Sequence, residues 1–343
     1  GEYTYTNRHD DYVNQEGYVP TTYTRIREQN LAGYAQYSHP LPFGQANIGL
    51  RYEHVDFDYF ENATFVPGQS RVYDNIFPNI SVNGQLGKVQ FQVSYAAKTQ
   101  RPNYSQLRNN ITYANRFTWQ TGNPLLKPSV THDITAVGVW RFFQAMVSYK
   151  VVRDYILYWG TQVENQSATT LINYINHDRL PSLTVMLAAS PTIGIWNLNA
   201  SAIVMKQWFS LDAAGQRRTY NNPLFVGSLN NTFTLPAGFL LSADFNYQSR
   251  GQVQNITLKR PQYTLNIGLR KSLFNDALSI EARANDLLLG CKQEALLYME
   301  SAQMKDLSWS DTRSFSLTVR YKFNAAKSKY KGTGAGQDTI NRM

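Results

Sequence analysis

The sequence predicts an all-β chain, a transmembrane antiparallel up-and-down β-barrel with about fourteen strands. Three features carry that expectation. Apolar and polar residues alternate with period two, short turns alternate with long polar connections, and aromatic residues gather near strand ends. The 343 residues include 23 Tyr, 17 Phe and 6 Trp with only 17% charged residues, too apolar and too weakly charged for a disordered polymer.

The alternation is direct to read. Val89, Phe91, Val93, Tyr95 and Ala97 face one way, with Lys88, Gln90, Gln92, Ser94 and Lys98 on the other side. The same two-sided pattern recurs at Phe239, Leu241, Ala243, Phe245 and Tyr247, at Tyr263, Leu265, Ile267 and Leu269, and at Phe315, Leu317, Val319, Tyr321 and Phe323. No helical period competes with it.

Turn chemistry divides the chain. Short connections rich in Gly, Pro, Asn or Asp lie at Pro40 to Gly44, Gly84 to Gly87, Pro191 to Gly194, Pro236 to Gly238 and Phe274 to Asp276. Longer polar stretches are expected at about 9 to 24, 60 to 74, 101 to 128, 160 to 169, 210 to 222, 250 to 257 and 289 to 310. The runs between them reach the roughly 9 to 11 residues that a tilted strand needs to cross a bilayer. Residues 1 to 324 form the expected barrel domain, and residues 325 to 343, with Lys327, Lys329 and Lys331, a flexible basic tail.

Composition excludes several classes. No run approaches the roughly 18 to 20 apolar residues of a membrane-spanning helix. The single cysteine, Cys291, rules out a disulfide framework and paired-thiolate zinc sites. The net charge of +9 comes from basic residues spread along the chain, so a nucleic-acid partner is not expected. Gly1 to Tyr5 show no basic segment followed by an apolar one, which is the expectation for a mature form or a fragment.

A soluble sandwich or propeller also has many alternating strands, but it buries its apolar face. A barrel in lipid turns that face outward, keeps a polar lumen and rings its ends with aromatics. Gln92, Asp244, Arg270, Glu281, Arg283 and Arg320 fall on the polar faces, and Tyr95, Trp140, Tyr149, Tyr247, Tyr263, Tyr321 and Phe323 sit near strand ends on the apolar ones. That placement, with short turns at one mouth and long loops at the other, favours the barrel.

The segment 101 to 128 is the longest expected loop and holds three prolines and four large aromatics. Either its aromatics cover its own backbone, or Tyr104, Tyr113, Phe117 and Trp119 form a ligand-binding surface that stacks on a sugar, peptide or other amphiphile. The histidines His9, His39, His54, His132 and His177 form no close ligand pair, so no metal site is expected from them. Asp10, Asp11, Asp56, Asp58 and Glu61 read as solvated loop charge, lacking the twelve-residue calcium-loop pattern. Gly332 to Gly336 reads as flexible tail and not as a phosphate loop, and no Gly-x-Ser-x-Gly elbow announces a nucleophile. No catalytic residue and no cofactor is expected.

Arg101-Pro-Asn-Tyr-Ser-Gln-Leu107 followed by Gly122-Asn-Pro-Leu-Leu-Lys-Pro128 resembles the motif pair of Bacteroidetes-type outer-membrane β-barrel proteins related to TonB-dependent receptors. Glu28 to Tyr37 and the segment from Asn285 through Asp311 to Phe323 resemble the same family, so the likeness spans nearly the whole chain. The resemblance implies the C-terminal barrel portion of a receptor or transporter in the outer membrane of a Gram-negative bacterium. In that family an N-terminal plug precedes the barrel, a TonB-type coupler supplies energy, and the barrel has about 22 strands. The implied partners are outer-membrane lipid, an extracellular nutrient such as a glycan, peptide or chelate, and the plug and coupler of a full-length receptor. A non-transporting surface-binding or scaffold barrel, such as an adhesin, and a barrel hydrolase are the rival readings.

Overall fold

The computed structural model describes residues 1–13, 15, 17, 21–163, 166–274, 277–300 and 303–322. The expected tail at 325 to 343 and the strand-end aromatic Phe323 lie outside the described residues.

Fourteen long strands follow one another: β1 Glu2–Tyr12, β2 Thr22–Leu41, β3 Gly44–Glu61, β4 Arg71–Leu86, β5 Val89–Gln100, β6 Ser129–Trp140, β7 Phe143–Val163, β8 Gln166–Ala189, β9 Trp196–Gln207, β10 Leu224–Leu235, β11 Phe239–Gln248, β12 Gln262–Leu273, β13 Leu278–Asn285 and β14 Ser314–Tyr321. Each pairs antiparallel with the next, as the alternation and turn spacing predict. Among the described residues β1 pairs only with β2, and β14 only with β13, so these two outer edges are not joined to each other.

Register fixes which side chains share a face, because neighbouring residues on a strand point oppositely. One face carries the row Val82, Val93, Ala136, Val147, Val185, Val204 and Phe225 across seven consecutive strands. A second row on that face runs Trp196, Phe233, Leu241, Leu269, Ala282 and Leu317. These residues are exposed or only half-buried: Val93 is 47% exposed and Leu317 72%. A continuous apolar surface of this extent is stable only against lipid.

The opposite face carries the row Ser38, Asn47, Ser81, Ser94, Thr135, Ser148 and Thr184, and further round Asn199, Asn230, Asp244 and Asn266. Hydrogen bonds and ion pairs knit it: the Ser38 hydroxyl donates to Asn47 at 2.8 Å, and the Arg283 guanidinium meets Asp244 at 3.3 Å. This lumen face is not polar throughout. Val137, Met146, Met186, Ile203 and Val226 form an apolar inner row within the otherwise polar lumen face.

The short connections lie at one end of the sheet and the long ones at the other. One tight turn has no Gly, Pro, Asn or Asp: Trp140 and Phe143 pair across Arg141 and Phe142, with Arg141 in the left-handed region at φ 54°. At the other end the strands outrun the membrane. β7 and β8 have 21 and 24 residues, where about ten suffice to span lipid. Most of the stretch expected as a loop at 160 to 169 is therefore strand. The segment at 210 to 222 is largely a hairpin, Phe209–Ala213 with Gln216–Tyr220, which packs Phe209 and Tyr220 on Leu157 and Leu180. The stretches at 250 to 257 and 289 to 310 supply a second sheet, Gly251–Val253, Ile256–Leu258, Lys292–Tyr298 and Gln303–Trp309, whose Leu297 packs with Met299 against Ile172.

Candidate functional site at the mouth

The segment 101 to 128 leaves β5, folds back against the lumen face and returns to β6. The positions it covers share the parity of Ser38 and Ser81: Ile26 and Glu28 on β2, Glu53, Phe57 and Tyr59 on β3, and Arg71 on β4. At the level of the membrane β2 to β4 carry Ser38, Asn47 and Ser81 on this face. Above it, where the loop covers the face, the apolar Ile26, Phe57 and Tyr59 stand beside the charged Glu28, Glu53 and Arg71.

Arg101 makes the first attachment. Its guanidinium lies 2.7 Å from Glu53 Oε2 and 3.9 Å from Glu28 Oε1, and both carboxylates are buried. Arg51 extends the network by donating to Glu53 at 2.7 Å and to Glu2 at 3.1 Å. A single-turn helix, α1, spans Tyr104–Leu107, and the Asn103 amide donates to the Gln106 side chain at 2.9 Å. Tyr104 and Leu107 point into a cluster with Ile26, Phe57, Tyr59 and Leu126. Leu126 is fully buried, and burial pushes the Tyr59 phenol up to about 12.

The second motif closes onto the first. A Cβ on Gly122 would lie 2.5 Å from the carbonyl oxygens of both Gln106 and Arg108, so only glycine lets the chain pass there. The next amide, of Asn123, donates to Gln106 O at 2.6 Å, and the Asn123 side chain donates to Tyr174 O at 2.9 Å. Asn176 holds Lys127 from both sides, accepting from its amide at 2.8 Å and donating to its carbonyl at 3.0 Å. Arg71 donates to the carbonyls of Pro124 and Leu125. Arg108 adds an ion pair with Asp10 at 3.6 Å.

Between the motifs a small hairpin, Thr112–Asn115 with Thr118–Gln120, stands at the mouth, its second strand pairing in parallel with Thr170–Ile172 of β8. The four aromatics named from sequence are thereby divided. Tyr104 is 1% exposed and belongs to the packing cluster. Tyr113 and Phe117 are exposed on the hairpin, and Trp119, half-buried, is paired with Tyr113 across it. Arg116, which sequence reasoning did not single out, places its guanidinium 4.7 Å from the Phe117 ring centroid. An arginine beside an aromatic at a turn is too common a pair to be noticed without the hairpin. The chemistry available here is stacking and charge recognition. Among the described residues no group of three or more His, Cys, Asp or Glu is arranged to hold a metal ion.

Comparison with known proteins agrees with this geometry. Residues 2–321 match the model of the outer membrane protein beta-barrel family. A search of curated protein sequences finds no match. Among solved structures, the chain is similar to the copper transporter OprC (TM-score 0.61, 11% identity, 94% of this chain and 53% of that one). It is also similar to the ferric-catecholate import receptor Fiu from E. coli K12 (TM-score 0.57, 12% identity, 88% and 46%). A third is the FrpB iron transporter from Neisseria meningitidis (TM-score 0.54, 16% identity, 89% and 46%). At these identities the likeness is one of fold, and the chain spans about half the length of the structures it matches.

Proposed function

The chain belongs to the outer membrane protein β-barrel family, and from that premise we propose that it forms the wall and outer mouth of a TonB-dependent receptor that takes up a nutrient. The observation that carries this reading is the packed mouth segment. Arg101, Tyr104, Leu107, Gly122 and Leu126 are spent on fixing 101 to 128 against the lumen face, which holds the hairpin with Tyr113, Arg116 and Phe117 over the entrance. Exposed aromatics and a cation on a rigid support suit a compound with flat or anionic parts, such as a metal chelate. No covalent chemistry is assigned to the chain.

Two further features support a wall that continues beyond these strands. The edges of β1 and β14 are not paired with each other among the described residues, and open edges are not stable in lipid. The apolar inner row from Val137 to Val226 also calls for cover, which a plug inside a barrel of about 22 strands supplies.

The test is uptake. Cells lacking the protein are assayed for accumulation of radiolabelled ferric catecholate and of copper, with and without the proton-motive force. The expected outcome is loss of energy-dependent accumulation of one of them, restored by the wild-type chain. A double variant, Tyr113→Ala with Phe117→Ala, is expected to raise the half-saturating concentration while leaving the amount of folded barrel unchanged. Unchanged uptake of both compounds, with loss of adhesion to a surface, would instead favour a non-transporting surface barrel.

A further inference from the structure

We propose that the lipid-facing side of β6 to β11 holds a binding groove for one glycerophospholipid of the periplasmic leaflet, with an acyl chain along its floor and the phosphate at Arg141. The inference rests on the outer-membrane placement and not on transport.

The outward face is filled elsewhere by valine, leucine and aromatics, but here it is hollowed. Two neighbouring rows supply small residues, Gly138 and Ala145 on one side of Leu187 with Ala202 and Gly227 on the other, and Ala189 with Ala200 in the next row. The result is an apolar groove of about 760 Å³. Its walls are aromatic: Phe143 stands at one side, and Phe225 lies across Gly227, where an added Cβ would come within 3.2 Å of the ring. The floor is open, since a Cβ on Gly138 would meet nothing within 4 Å. A groove this apolar on a surface bathed in lipid is occupied by hydrocarbon.

The lower end shows which lipid fits. Trp140 and Phe143 stack with ring centroids 5.9 Å apart, and the Arg141 guanidinium lies 5.1 Å from the Trp140 centroid. Arg141 forms no ion pair among the described residues, and it occupies a left-handed turn position where glycine or asparagine is usual. It sits in a short turn, which in this architecture faces the periplasm. A cation at the interface beside an apolar groove complements a phosphate attached to acyl chains, and phosphate-bearing glycerolipids meet both demands at once.

The test is native mass spectrometry of the full-length protein purified from outer membranes, after delipidation and titration with palmitoyl-oleoyl phosphatidylethanolamine. One retained lipid is expected. Gly138→Leu fills the floor and is expected to lower retention by about tenfold, the loss of roughly two methylene contacts. Arg141→Gln is expected to lower it by about fivefold, and a phosphate-free diacylglycerol to bind the wild type no better than the phospholipid binds Arg141→Gln. Heat-modifiable gel migration checks that both variants are folded. Equal retention by wild type and folded Gly138→Leu would overturn the proposal. So would retention of lipopolysaccharide alone, or a doubled mass showing a second copy in the groove.

Discussion

Arg101 and Glu53, 48 residues apart in sequence, meet at 2.7 Å beneath the mouth segment, with Glu28 on the other side of the guanidinium. The three groups are largely shielded from solvent, so the worth of the pair lies in what its loss would leave behind. Arg101→Met strands two buried carboxylates, a loss of about 3–5 kcal/mol in comparable buried pairs. The outcome expected is release of 101 to 128 from the lumen face, read as new proteolytic cleavage between residues 108 and 122 in an otherwise folded barrel. A cleavage pattern identical to wild type would show that the apolar cluster alone holds the segment.

Gly122 tests the second half of the same clasp. Gly122→Ala sets a methyl group 2.5 Å from two carbonyl oxygens and must push the Asn123 segment off α1. The expected cost is about 1–3 kcal/mol, as for overpacking elsewhere. It is measured as a lower temperature for the shift in gel migration, or as faster cleavage of the mouth segment where the wall itself stays intact.

The motif pair was legible in the sequence, and its purpose was not. Read along the chain, Arg101, Gly122 and Leu126 carry only a family likeness, and Tyr104 fits either a packed loop or a ligand surface, because the partners that explain them, Glu53, Tyr59 and Tyr174, lie on other strands. The wall was easier to read. Period two is a local property, and rows such as Val82 to Phe225 follow once neighbouring strands pair in order. The missed turn at Arg141 and Phe142 shows where local reading stops: arginine carries no turn preference, and its left-handed backbone is imposed by the hairpin. The polar stretch at 160 to 169 fails for a related reason. Asn, Gln and Thr suit a loop, yet above the membrane they also suit a two-sided strand in water.

His177 gives the outer layer a pH dependence. Its ring stands edge-on to Phe209 with centroids 4.5 Å apart, among the residues that dock the hairpin Phe209–Tyr220, and Asp178 and Arg217 are its charged neighbours. Burial, opposed by Asp178 and aided by Arg217, holds its pKa below the ordinary 6.5. The folded state thus binds a proton less readily than the unfolded chain. The stabilisation is complete above pH 6.5 and is lost as pH falls through the lowered folded value. Amide exchange in 209 to 220 is expected to quicken on acidification from pH 7 to 5, and His177→Phe to abolish that change. An unaltered exchange profile in the wild type would sink the idea.

Sidedness is open to a test with adjacent residues. Val93 and Ser94 are neighbours on β5, and register puts the first in the apolar row and the second in the polar one. Val93→Arg places a charge against the hydrocarbon, at about 2–4 kcal/mol near the bilayer midplane. Ser94→Arg places the same charge among Ser81, Thr135 and lumen water, where the cost is small. Folding into vesicles followed by urea titration is expected to show a marked loss of stability for the first variant and little change for the second. Comparable losses for both would mean that Ser94 does not face water, and a larger loss for Ser94→Arg would reverse the two faces of the wall.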